Sequence, residues 1–65
     1  MDTEVKIEKF QEVLDRVAAT GNRETVEEAL VPDVATWDRL DAKGCTICVE
    51  SGSWWVLPTV RRSAA

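Results

Sequence analysis

Histidine is absent from this chain, and glycine, proline and cysteine are scarce, at three, two and two residues among 65. Without histidine the carboxylates have no imidazole partner for acid–base work, and neither a serine nucleophile nor a glycine-rich phosphate loop stands near them. Cys45 and Cys48 form a CxxC in the run Gly44-Cys45-Thr46-Ile47-Cys48. Zinc takes four ligands, and no second pair is present to complete a set. A thioredoxin-type pair needs its first thiol at a helix N-terminus, whereas this pair lies where a helix end runs into a strand. Residues three apart on a strand also face opposite ways, which hinders a local disulfide. The pair therefore reads as two small, half-buried residues without chemistry; a metal site shared between two chains is the alternative. The chain is expected not to be an enzyme and to hold no cofactor.

Long apolar runs are missing too. Nothing approaches the ~20 residues that cross a bilayer. Met1-Asp2-Thr3-Glu4 has neither the basic nor the apolar region of a secretion signal. Two cysteines suit a reducing cytosol, where a secreted domain this small usually carries four or more. The chain reads as a complete small reading frame. It has no internal repeat and no low-complexity segment. One small domain over residues 1–58 is expected, with a flexible, weakly basic tail over 59–65.

What the chain does have is acid. All twelve carboxylates fall in residues 1–50, against six basic residues there, while 51–65 hold none. The tail adds Arg61 and Arg62, which brings the formal net charge to −4. Negative charge repels phosphate, so direct nucleic-acid or anionic-membrane binding is disfavoured and basic protein surfaces are the favoured partners. The plainer alternative is a charge that only keeps the protein dissolved.

The spacing of Ile7, Phe10, Val13, Leu14, Val17 and Ala18 predicts a helix over 4–20, capped by Thr3 and stopped at Gly21-Asn22. At ~100° per residue, Glu4, Glu8, Glu12 and Asp15 form a band about 80° wide, roughly opposite the apolar stripe. A second helix is predicted over 23–30, where Thr25 and Glu28 fit a capping box and Val31-Pro32 stops it. A third is predicted over 34–43, between an Asp33 cap and Gly44, with Val34, Trp37 and Leu40 inward. Residues 45–58 read as a hairpin turning at Ser51-Gly52. A two-residue loop pairs Glu50 with Ser53, Val49 with Trp54, Cys48 with Trp55, and Ile47 with Val56. Ile47, Val49, Trp54 and Val56 are assigned to the core; Trp55 and Leu57 lie on the other face, to be covered by the first helix, by a tail residue such as Val60, or by a partner. The expected fold is α+β: three helices packed on a C-terminal two-stranded antiparallel hairpin.

Residues 25–58 resemble the small winged-helix domains of excisionases and MerR-type regulators. Thr25-Val26-Glu27-Glu28-Ala29 resembles the opening of their first helix. Thr36 to Gly44 sits where their recognition helix would be, and Ser51 to Pro58 resembles their wing. The resemblance implies DNA binding through Arg39, Lys43, Arg61 and Arg62, yet Asp33, Asp38 and Asp41 crowd the same segment and the wing has no basic residue before Arg61. In size, acidity and lack of enzymatic motifs the whole chain also resembles small phage-encoded anti-CRISPR proteins, particularly inhibitors of type I systems. That resemblance implies a stoichiometric inhibitor bound to the DNA-recognition surface of a Cascade-type subunit; the chain is expected in the bacterial cytoplasm and as a monomer, with a small module that dimerises through the outer face of the hairpin as an alternative. Glu4, Glu8, Glu12, Asp15, Glu24, Glu27, Glu28, Asp38 and Asp41 are the expected phosphate mimics, with Trp55 as an apolar anchor.

Overall fold

The computed structural model describes residues 2–59, so the expected tail, with Val60, Arg61 and Arg62, lies outside the described residues except for Thr59. Helix α1 spans Thr3–Thr20. Its cap is Asp2 rather than Thr3, without a side-chain cap hydrogen bond, and Gly21 closes it at φ 74°, donating its amide to the Val17 carbonyl at 2.8 Å. Only glycine adopts that left-handed conformation without strain. Phe10, Val13, Leu14 and Val17 are buried along one side, as the apolar spacing predicts.

The expected helix over 23–30 does not form. Strand β1 (Glu24–Val26) takes its first half, and a single 3-10 turn (Glu28–Leu30) follows. The expected helix over 34–43 is cut to α2 (Val34–Trp37). Asp33 does cap it, accepting from the Thr36 amide at 2.8 Å. Beyond Asp38, whose amide still reaches Val34, the amides bond only three residues back, Arg39 to Thr36 and Leu40 to Trp37. The Asp41 amide, which a continuing helix would give to Trp37, is taken instead by the Gln11 side chain of α1 at 2.8 Å. Val34, expected to face inward, is 81% exposed. Lys43 and Gly44, both at positive φ, then turn the chain into the sheet.

Strands β2 (Thr46–Glu50) and β3 (Ser53–Leu57) form the expected hairpin in the expected register. Ser51 and Gly52 both have positive φ, the signature of a type I′ turn whose twist suits two-residue hairpins. β1 pairs antiparallel with the far side of β3, placing Glu24 opposite Val56 and Val26 opposite Trp54. The fold is therefore α+β with one long helix and a three-stranded antiparallel sheet in the order β1-β3-β2, which corrects the expected three helices on a two-stranded hairpin. The physical reason is the open edge that a bare hairpin leaves on β3: three residues of main chain from 24–26 satisfy it, outweighing a weak local helix preference.

α1 lies against one face of this sheet. Phe10, Leu14 and Val17 meet Val56, with Cys45 completing the buried cluster and Val26, Trp37, Leu40 and Ile47 packed around it. Phe10 and Trp37 meet edge to face, with centroids 6.0 Å apart. Val49 shares this face but, contrary to the core position expected for it, is 56% exposed on edge strand β2.

Candidate partner-binding surface

The carboxylates fall into two groups once the fold is in place. One group binds α1 to its neighbours. On one flank Arg16 forks onto Glu24 of β1, with its Nε and Nη2 each 2.7 Å from a carboxylate oxygen. On the other flank the segment after α2 runs along the helix. Arg39 Nη2 donates to Glu4 at 2.8 Å, Lys43 Nζ lies 2.9 Å from Asp15, and Gln11 both accepts from the Asp41 amide and donates to the Asp41 carbonyl. Glu4, Gln11 and Asp15 recur at near-helical spacing, so one edge of α1 meets that segment along about three turns. Glu4, Asp15 and Glu24 were expected to face a partner as phosphate mimics. The structure places each in an ion pair within the domain, and it places Asp41 at the helix clamp.

The second group is exposed. Glu8 and Glu12 project from α1 outside both clamped flanks, Glu27 and Glu28 stand at the 3-10 turn, and Asp38 follows α2. Among the described residues, none of these five belongs to an ion pair. Four of the six described cations are paired with acids, leaving Lys6 and Lys9 on α1. Sequence spacing located the acidic band, but a linear reading could not separate its clamped members from its free ones. The weak signal for that division was Gln11, an uncharged residue set among the acids.

Protonation follows these contacts. The hydrogen bonds from Lys43 and then Gln11 hold the Asp15 carboxyl below its ordinary value, and Arg16 does the same for Glu24. The Thr36 amide lowers Asp33. The Lys43 ammonium is raised in turn by Asp15. A carboxyl whose pKa is depressed by folding stabilises the fold fully above its unfolded value, about 4, and that contribution fades as pH falls through the folded value. The raised Lys43 contributes fully below about 10.4 and loses its contribution as pH climbs past that. The urea midpoint should therefore be flat from about pH 6 to 8, decline below about pH 4, and decline less in Asp15→Asn. An acid limb unchanged by that substitution would remove Asp15 from the account.

Trp55 lies on the sheet face away from α1, with Thr25, Cys48 and Leu57 around it. It is half-buried because the Arg23 guanidinium stacks over the ring, 4.3 Å from its centroid, and Arg23 also reaches Glu50 at 3.9 Å. α1 covers the opposite face, and Val60 lies outside the described residues. Cys45 and Cys48 are both free. Cys45 points into the core, its Sγ 3.8 Å from the Leu14 carbonyl, and burial pushes its thiol pKa up, which keeps it in the unreactive thiol form.

Two shallow clefts flank α2. One, of about 220 Å³, lies between α1 and the 30–33 segment and is lined by residues such as Ile7, Phe10, Leu30 and Asp33. The other, of about 190 Å³, is a mostly apolar groove lined by Pro32, Asp33, Val34, Trp37 and Ile47. Both are smaller than the 300 Å³ or more usual for small-molecule sites. No described helix is long and apolar enough to cross a membrane. Compared with protein-family models, with curated proteins and with solved structures, the chain matches none.

Proposed function

We propose that this chain is a small acidic protein-binding domain that occupies the phosphate-binding surface of a basic partner, acting as an inhibitor of a DNA-recognising complex of the Cascade type. The observation that carries this reading is the set of exposed carboxylates left without cations, Glu8, Glu12, Glu27, Glu28 and Asp38, while Glu4, Asp15, Glu24 and Glu50 take up four of the six described cations. The packed scaffold fixes the backbone that carries these carboxylates before binding, so only side-chain ordering opposes their meeting with Lys and Arg. Direct DNA binding has less support. Its candidate recognition segment contains a helix of only four residues, and Arg39 and Lys43 are engaged by Glu4 and Asp15.

The test is competition. With a purified Cascade-type complex and its target duplex, the protein should reduce DNA binding at stoichiometric concentration. The inhibition should weaken steeply between ~50 and ~200 mM salt, as phosphate-like contacts require. Glu8→Lys/Glu12→Lys should weaken it by about tenfold or more while leaving the far-ultraviolet circular dichroism unchanged. Asp15 is left out of this variant because its reversal would break the contact with Lys43. Full inhibition by the double variant would rule out α1 as the contact surface. A gel shift of duplex by the protein alone would argue for the DNA-binding alternative.

A further inference from the structure

Strand β2 is an edge of the sheet, and its outer side has no main-chain partner among the described residues. The two edges are guarded very differently. β1 is three residues long, contains Glu24, and lies between Arg23 and Glu27. β2 is five residues long, and from Thr46 to Val49 it carries no charge and no proline. Proteins commonly blunt open edges with exactly such residues, so a long uncharged edge is a template for another strand.

We infer that β2 pairs antiparallel with β2 of a second copy of this chain, about a two-fold axis through Cys48. The hairpin settles the geometry. Glu50 and Ser53 close the two-residue turn, so Thr46, Cys48 and Glu50 turn their amide and carbonyl groups towards β3. Ile47 and Val49 turn theirs outward, where a partner strand can take them. Centring the axis on Cys48, the middle residue of the strand, pairs all five positions. Ile47 then lies opposite the partner's Val49, Val49 opposite the partner's Ile47, and Thr46 opposite the partner's Glu50. Both apolar pairs fall on the helix side of the sheet.

The occupant is identified by this self-complementarity. Val49 is 56% exposed, and Ile47 lines the apolar groove with Pro32, Val34 and Trp37. The two-fold axis stands normal to the sheet, so both helices lie on one side. Each copy then delivers its exposed Val49 beside the other's groove, where Val34, 81% exposed, also waits for cover. The inference departs from the monomer favoured by the sequence, uses the strand edge rather than the outer hairpin face of the dimerising alternative, and does not depend on the acidic surface, which lies on other elements.

Cys48 supplies the decisive test. Across the axis the two Cys48 residues form a non-hydrogen-bonded pair, with Cα atoms about 4.5 Å apart and within the ~4.4–6.8 Å that a disulfide spans. Diamide would take up the two thiol protons and two electrons, becoming the hydrazine, and leave an S–S bond between chains. Light scattering at ~100 µM should give twice the 7.3 kDa chain mass. Diamide should give a covalent dimer with the wild type and with Cys45→Ser, and none with Cys48→Ser. Val49→Lys, which places a charge on the edge without touching the core, should restore the monomer mass with an unchanged circular dichroism spectrum. A wild-type monomer at ~100 µM, a cross-link that survives Cys48→Ser, or a Val49→Lys variant that stays dimeric would each overturn the inference.

Discussion

Leu14→Ala is expected to leave a large share of the molecules unfolded at 25 °C, with the urea transition moved to near zero denaturant. Leu14 is fully buried at the centre of the cluster that joins α1 to the sheet, between Phe10 and Val17 and facing Val56. Truncating such a leucine removes its transfer free energy and opens a cavity, a loss of about 2.7–5 kcal/mol. A single core in a domain this small rarely supplies more than about 3–5 kcal/mol in total. The two figures nearly cancel, so folded and unfolded populations become comparable. Ala18→Ser makes a useful contrast: Ala18 lies on the same helix but is exposed, and its substitution should move the midpoint little. Circular dichroism against urea checks both, and a Leu14→Ala transition within about 1 kcal/mol of wild type would refute the packing described here.

The second large effect concerns the backbone of β3. Trp54→Pro should destabilise the protein by about 1–3 kcal/mol more than Trp54→Ala, the range for leaving a buried ladder group without its partner. The alanine variant removes the same indole, so the difference isolates the main chain. With Ser53 and Trp55 bonded towards β2, the Trp54 amide is turned towards Val26 of β1. In a two-stranded hairpin that amide would face water, and proline there would be tolerated. Equal midpoints for the two variants would mean that β1 adds nothing to the sheet.

That comparison also marks where the sequence was readable. α1 was legible because an 18-residue amphipathic helix repeats its signal five times and ends at a glycine. The hairpin and its register were legible because the turn chemistry of Ser51-Gly52 and the alternation around it are both local. β1 was not. Three residues cannot display a period, and Glu24-Thr25-Val26 sits in a run of acids and alanine that favours helix by propensity. What makes it a strand is the open side of β3, some thirty positions later in the chain. The shortening of α2 has a similar cause, since Gln11 draws the Asp41 amide out of helical pairing from thirty residues away. The acidic surface was half legible: composition and spacing located it, but only tertiary contacts separate Glu8 and Glu12 from Glu4 and Asp15.

The strand order has one more consequence, for the chain as it is made. β3 lies at the centre of the sheet yet is its last strand in sequence. When Glu24–Val26 leaves the ribosome, the strand it must pair with has not been synthesised, and the apolar side of α1 has no Val56 to rest on. Neither half of the sheet can assemble by itself around that helix until Ser53–Leu57 is free. Folding is therefore held back until Ser53–Leu57 has been made, and it is completed by one long-range closure that brings residues 24–26 against 54–56.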